Sequence, residues 1–576
     1  MAKNFLKKIA LTVVLSSTIA FAGINAADAK GKKGKYLPGD FHQHTYYTDG
    51  ARPMLEVMRQ NTLYGLAWWA NSEHGGGRDR DGLGHKWTDT NYYPDGSPVL
   101  GDGAPGYMYR WQSLRDFAYP DIKIARDAYP DHTIISGLEW NVPGHEHCST
   151  AINQYDDSAT AISEFEFRFD RNDGDTSRNG ETGLLGDELS KTNSTKEDAI
   201  LAVEWMQAMK DAGIGDAWVV PAHVERAHSY WIEDFRNWMD AGPDVAFGFE
   251  GAPGHQTSSD RGFSRGSLGG GTFGGTGWYV SQVGGFWDAL LAEGRKFWNF
   301  ASSDYHKHWG DGGSDFFMGE YQKNYTYIDT KAKDPIQAVF NGNRSGNTWN
   351  VMGDLIDELE FTAKSKKQTA MMGQTLKVKK GDKVEIKIKV HDPDTPNYCP
   401  FDFNNPSLEQ IGIEQPLNMP ELHHIDLIAG TITGNVPATN EADPAGTDYG
   451  TDAAVIETFY SEDGKGKKGK KGYTTFTIKI KAEDSMFLRL RGTNLPADVP
   501  FETDAEGNPL ADSKANDEIY APMQYEEEGY NGITNKLLNL YLNDDLRIIT
   551  TDKLDDVVEA YADLWFYSNP IFIEVE

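Results

Sequence analysis

The sequence predicts an α/β domain, a barrel or a doubly wound sheet, followed by a β-rich, sandwich-like domain. Three observations carry that prediction. From about Tyr36 to Gly353 a short apolar run, a polar tip carrying His, Asp or Glu, and a helical stretch recur in that order, which is the grammar of βα units. In each repeat the candidate ligand stands at or just past the end of the apolar run, and the carboxyl ends of parallel strands are where loops converge on one point. After about Asp354 the texture changes to alternating strands separated by Gly, Pro, Asn and Asp.

Residues 1–29 read as an export signal: Lys3, Lys7 and Lys8, then the apolar run IALTVVLSSTIAFAG, then small residues around INAADA. The expectation is a periplasmic or secreted protein with no transmembrane segment once the signal is cleaved. Domain boundaries are expected at 36–353 for the α/β part and 354–576 for the β-rich part. The runs LPGDFHQH, LAWWANSEH, TIISGLEWN, AWVVPAHV, VAFGFEG and FWNFASSDYH supply the strands, and MLEVMRQNTLYG and EDAILAVEWMQAMKDAG are amphipathic helix candidates between them. Trp68 and Trp69 alternate on one strand, so one packs in the barrel and the other under a helix. Two insertions, from about Glu164 to Ser194 and RGFSRGSLGGGTFGGTG from Arg261, read as surface loops. The second lacks GxxxxGK[ST] and is expected to be a flap over the pocket rather than a phosphate cradle. ELEFTAK, TLKVKKGDKVEIKIKVHD, YTTFTIKIKA, MFLRLRG and PIFIEVE are the strands of the β-rich part, with KGKKGKKG near Lys465 a solvated basic loop.

At 576 residues, 39% hydrophobic and 12% aromatic, the chain is too long and too apolar for a disordered tail or a disulfide-stapled mini-protein. Its 55 basic against 87 acidic residues leave a formal charge of −32, a field that repels long nucleic acids and anionic lipid. Salt screens that field within about 8 to 10 Å, so a small ester or phosphate is not excluded. Two cysteines, Cys148 and Cys399, are too few for a disulfide framework. Whether they pair is left open, as is the oligomeric state.

The first tip, GDFHQHTYYTDG, carries His42 and His44 two residues apart, so both imidazoles face one space, as a shared metal requires. Asp49 follows in a turn with Gly50. Further tips add His74 in NSEHGG, Glu139 in SGLEWN, His145 and His147 in GHEHCST, His223 in PAHVERAH, and Asp304 and His306 in SSDYHKH. Most of the 15 histidines lie at these tips, while the β-rich part keeps only His391, His423 and His424. A mixed imidazole and carboxylate set suits Zn, Mn or Fe, whereas Ca and Mg prefer oxygen shells. The set is large enough for two or three divalent ions.

The order HxH, a TDG turn, a strand ending in His, a strand ending in Glu, two later His tips and a final DxH resembles the PHP superfamily of polymerase and histidinol phosphatase domains. The resemblance covers roughly residues 36–350. It implies a distorted (β/α)7 TIM-like barrel holding two or three divalent metals, and usually phosphoester hydrolysis. Carried over by motif, one ion would be held by His42, His44, Glu139 and Asp304. A second would share Glu139 and take His147 and His223, and a third would take Asp49, His74 and His306. A metal-bridging hydroxide held at the Glu139, His42, His44 and Asp304 ion would be the nucleophile, so no Ser or Cys nucleophile is needed. Cys148 should point away from the metals.

The chain departs from the family pattern at Glu73, where an Asp commonly precedes the strand-end His. In GHEHC the ligand is read as His147, with His145 in reserve. His228 and His308 are read as pocket-wall or surface imidazoles, and Glu250 and His255 as pocket lining or structural. Arg78, Arg110, Arg226 and Arg261 stand near tips or loops, and Arg110 and Arg226 are retained as substrate contacts for a phosphate or carboxylate. The function expected is an exported metal-dependent hydrolase, a phosphoesterase in the first instance. The alternatives are a carboxylic-ester or carbamate hydrolase with the same site, or a non-catalytic surface-binding protein.

Overall fold

The strands that carry the histidine-bearing tips are β1 (Gly34–Asp40), β2 (Trp68–Asn71), β3 (Thr133–Asn141), β4 (His147–Gln154) and β5 (Gly215–Pro221). β2, β3 and β5 are buried along nearly their whole length, which is why they read as continuous apolar runs. The computed structural model describes residues 34–227, 229–258, 261–262, 271–434, 449–461, 466–469, 472–512 and 551–576. The export signal expected at 1–29, His228 and most of the glycine-rich stretch lie outside the described residues.

β1, β2 and β3 run parallel, but β3, β4 and β5 form an antiparallel meander. The connection from β3 to β4 is only 142–146, too short for the crossover that a parallel pair needs, so the chain reverses. β6 (Gly248–Ala252) and β7 (Trp298–Ala301) form a separate parallel pair. β8 (Gln322–Asp329) returns antiparallel on β1, and β9 (Thr348–Met352) antiparallel on β8. Hydrogen bonds outside the ladders tie the β6–β7 pair to its neighbours: Val219 N donates to Val245 O just before β6 at 2.9 Å, and Ala301 N donates to Asn324 Oδ1 at 2.9 Å. The architecture is thus mixed α/β with large sheets.

Helices flank these strands. α1 (Met54–Leu63) and α2 (Tyr119–Ala128) cover Trp69, while Trp68 turns to the main core and meets the Phe41 ring at 5.0 Å. Gly39 permits that packing, because a Cβ there would lie 2.0 Å from the Trp68 ring. α3 (Thr160–Phe169) and α4 (Lys196–Asp211) follow, and Thr195 with Asp198 forms a capping box that starts α4. α5 (Ile232–Ala241), α6 (Phe286–Ala292) and α7 (Pro335–Arg344) complete this part. Among the described residues no helix is long and apolar enough to cross a membrane. Cys148 and Cys399 are buried, unbridged thiols, and Cys148 packs in the apolar core.

Beyond Asp354 the strands divide between two sheets. β10 (Glu358–Ser365), β11 (Gln368–Met371), β13 (Lys383–His391) and β16 (Tyr473–Lys481) form an antiparallel sheet of their own. β12 (Thr375–Val378), β14 (His424–Thr431), β15 (Ala454–Tyr460), β17 (Met486–Thr493), β18 (Trp565–Ser568) and β19 (Ile571–Val575) instead extend the first sheet. The join is β9 against β18, where Trp349, Asn350 and Val351 pair with Ser568, Tyr567 and Phe566. Hydrogen-bonded strands therefore run across residue 354. α8 (Thr551–Ala562) precedes β18.

Buried ion pairs reinforce that join. The Arg489 guanidinium on β17 grips both oxygens of Asp288 on α6 at 2.6 and 2.7 Å, and both side chains are fully buried. Breaking such a pair on one side leaves an uncompensated buried charge, whereas replacing both groups by apolar ones does not. Arg489→Met should therefore cost about 3 to 5 kcal/mol in denaturant unfolding, and adding Asp288→Leu should recover most of it. A double variant as unstable as the single one would contradict this account of the pair.

Candidate metal centre

The candidate ligands meet at one end of the sheet. His42 and His44 follow β1, His74 follows β2, His223 follows β5 and Asp304 follows β7. Glu139 lies near the end of β3. His147 is the first residue of β4, yet it reaches the same place because β4 runs antiparallel and pairs it with Asn141. Short bridges close the ring: His74 pairs with Glu139, and Gln43 with Tyr305.

Glu139 is the centre of the arrangement and is fully buried. Its Oε1 faces His147 Nδ1 at 2.7 Å and His223 Nε2 at 3.0 Å. Its Oε2 faces His74 Nδ1 at 2.6 Å, with His42 Nε2 and His44 Nε2 each at 3.3 Å. Asp304 Oδ1 stands 3.2 Å from His42 Nε2 and 3.3 Å from His44 Nε2, and the two ring nitrogens are 3.0 Å apart. Towards the mouth, Asp49 meets His74 Nε2 at 3.3 Å and His306 Nε2 at 3.4 Å. His42, His44, Glu139 and Asp304 are all buried, His74 and His147 are partly exposed and Asp49 is more so, so the cluster grades from a buried floor to an open rim.

These atoms fit divalent ions. Two ligands each about 2.0 to 2.2 Å from one ion lie about 2.8 to 3.6 Å apart between right-angled and tetrahedral geometry, a range that includes the spacings on the floor. Glu139 Oε2 and both Asp304 oxygens are buried without a hydrogen bond of good geometry, the 2.9 Å approach of His255 Nε2 to Asp304 Oδ2 being an ion-pair contact; that is a costly state that a cation relieves. Groups that could share an ion include His42, His44, Glu139 and Asp304; His44, Asp49, His74 and His306; His74, Glu139 and His147; and His255, His306 and Asp315. His223 stands with Glu146 and His147 in a further group and reaches Glu139 directly.

Supporting carboxylates orient the ligands. Glu250 accepts from Ser149 Oγ and Ser302 Oγ, each at 2.6 Å, and lies 3.3 Å from His42 Nδ1, turning Nε2 of that ring to the centre. Glu73 accepts from Thr48 Oγ1 at 2.5 Å, Thr45 N at 3.2 Å and the Thr45 hydroxyl, so it pins the loop that carries His44. Glu73 thus has a holding role. Burial opposes the ionised form of Glu139, but the imidazoles of His147, His74 and His42 outweigh it and hold its pKa well below the usual carboxylate range. Burial likewise disfavours protonated His74, yet Glu139 and Asp49 push its pKa up to about 10. Burial, with the nearby Arg226, draws His223 down to about 3.

The remaining expected residues fall into two groups. Arg226 is at the centre's edge, its Nη2 3.0 Å from Glu146 Oε2 and 3.3 Å from His147 Nδ1. Arg78 is at the rim, 3.1 Å from Asp49 Oδ2. Arg110 differs from expectation: it is buried against the Tyr47 ring and bonds Ser113 Oγ at 3.1 Å, because its backbone amide is tied to Gly76 O behind the His74 loop. Arg261 is also internal, paired with Glu559 and Asp563. His145 stacks on Tyr230 and meets Ser229 O at 2.9 Å, outside the ligand groups. His308 is buried on Glu320 and Phe317. Glu250 and His255, read as pocket lining or structural, touch the candidate ligands His42 and Asp304 directly. Asp315 gave no signal in the sequence, since only the fold brings its loop beneath His255.

No family model matches the sequence, and no curated protein matches it. A solved two-domain protein from Bacteroides vulgatus, described as containing a predicted PHP-like metal-dependent phosphoesterase, aligns over 83% of this chain and 94% of its own, at 11% identity and a TM-score of 0.30. So loose a likeness carries no argument, and the functional reading rests on the geometry above.

Metal binding should release protons. His74 holds a proton at neutral pH when no ion is present, and an ion needs the lone pair that the proton occupies. Affinity should therefore climb as pH rises through the neutral range towards about 10 and fall in acid. Titration calorimetry at pH 7 in two buffers of different ionisation enthalpy should show net proton release; heats that do not depend on the buffer would contradict it.

Proposed function

We propose that the chain is an exported metal-dependent hydrolase acting on small phosphoesters, with a PHP-like centre of two or three divalent ions (Zn, Mn or Fe). The observation that carries the reading is Glu139: one buried carboxylate whose two oxygens face two different groups of imidazoles. A carboxylate so placed is the bridging ligand of a two-metal site, and such sites serve hydrolytic displacement. His42, His44, Glu139 and Asp304 would hold one ion, Glu139, His147 and His223 a second, and Asp49, His74 and His306 a third. When bound, such ions acidify water and polarise the attacked phosphoryl or carbonyl oxygen.

The chain's own residues set the rest. The buried floor excludes bulk water and fixes the imidazoles through Glu250 and Glu73, so little reorganisation is needed on substrate binding. Arg226 and Arg78 lie on opposite ligand groups, the first beside His147 and the second beside Asp49. Guanidinium groups next to a ligand cluster favour an anionic substrate, which supports a phosphoester over a neutral ester or carbamate. Export places the protein in the periplasm or outside the cell, where small esters and phosphates, not long nucleic acids, are the partners that its charge admits.

His42→Ala and Asp304→Ala should each abolish hydrolysis while thermal melting shows a folded chain. Assays of the metal-loaded protein with p-nitrophenyl phosphate, bis-p-nitrophenyl phosphate and an aryl ester decide the substrate class. Turnover of the aryl ester alone would overturn the phosphoesterase reading, and turnover unchanged in both variants would remove the site.

A further inference from the structure

We infer that His255 is a positioning residue of the proposed metal centre: it clamps one oxygen of Asp304 so that the other alone is offered to the ion between His42 and His44. The inference rests on the metal-centre reading but not on the reaction. His255 Nε2 lies 2.9 Å from Asp304 Oδ2, and its Nδ1 lies 2.6 Å from Asp315 Oδ1. Both ring nitrogens are thus engaged by carboxylates, one of them a candidate ligand. Asp315 is itself fixed, because its Oδ2 accepts from His306 N at 2.6 Å and Lys307 N at 2.7 Å. One carboxylate therefore ties the turn of His255 to the turn of His306.

Three of the nine described non-glycine residues with positive φ lie at this site. His223, His255 and Asp304 have φ of +30°, +57° and +42°, in the left-handed region that non-glycine residues seldom occupy and that recurs at functional sites. Gly254 is required by the close approach, since a Cβ there would lie 2.2 Å from Ser303 O and 2.4 Å from Asp304 Cβ. The turn is braced from behind. The His255 carbonyl accepts from Ser258 N and Gly262 N, each at 3.1 Å. The buried Arg261 donates to Gln256 Oε1 at 3.2 Å, Tyr321 Oη at 2.7 Å and Glu559 Oε1 at 2.9 Å, and also to Asp563. The C-terminal helix α8 thereby supports a turn of the site.

The clamp has a chemical consequence. A carboxylate with both oxygens available can chelate one ion, bridge two or swing between them. With Oδ2 engaged by His255, Asp304 presents Oδ1 to His42 and His44, and the bridging role falls to Glu139. Partners of ligands in this position are worth about 10- to 100-fold in metal affinity.

The test is chelator competition with Mn2+ and Zn2+ on the full chain, read as apparent affinity and as ions bound at saturation. His255→Phe should bind about 10- to 100-fold more weakly with the number of ions at saturation unchanged. His255→Gln, whose amide can still donate to Asp304, should recover part of the loss. If melting shows that His255→Phe fails to fold, Asp315→Asn carries the test, with a weakening in the same direction expected. Wild-type affinity in the folded variants would overturn the inference. So would the loss of one whole ion at saturation in both His255 variants, which would make His255 a direct ligand. Because no substrate is involved, a wild-type chain that binds ions but hydrolyses none of the test esters would refute the hydrolase reading and leave this inference standing.

Discussion

A buried carboxylate set between imidazoles is the constraint on which the rest of this end of the molecule depends. Glu139 cannot be taken from water without a partner for each oxygen; five imidazoles face it on two sides, and its Oε2 still lacks a hydrogen bond that a cation would replace. Bringing them there dictates the local architecture. Three parallel strands deliver His42, His44, His74 and Glu139 at one end of the sheet, and the antiparallel reversal into β4 returns His147 to that same end. Glu73 and Glu250 then fix loop and ring orientations from behind, so that the lone pairs converge on shared points rather than on one another.

Much of this was legible because it is local. The two-residue spacing of His42 and His44, and the repeated placement of a ligand type at the end of an apolar run, follow from strand geometry alone. The burial of Trp68 and Trp69 on opposite faces follows from the same alternation. What was not legible depends on contacts between distant segments. The βα grammar does not distinguish a crossover from a reversal when the linking segment is short, and so it does not predict the antiparallel β4. Arg110 looks like an anion-binding side chain until the Gly76 contact folds it inward. Asp315 has no strand end or motif to mark it, and His255 gains its meaning only from lying against Asp304.

The second half of the chain bears on the site in a way that its alternating strands did not suggest. β17, β18 and β19 continue the sheet that holds the candidate ligands, and the pairs Arg489–Asp288 and Arg261–Glu559 carry buried charge across between the two halves. Such contacts are expensive to break on one side, which makes the strands beyond residue 354 part of the framework that holds the ligand-bearing turns.

The most direct test of a carboxylate bridging two ions is electron paramagnetic resonance of the chain loaded with Mn2+. Ions sharing one carboxylate lie about 3.5 to 4 Å apart, close enough for exchange coupling. The account predicts a coupled multi-ion spectrum that Glu139→Gln converts to signals of isolated ions. Isolated Mn2+ signals alone in the fully loaded wild-type chain would contradict it.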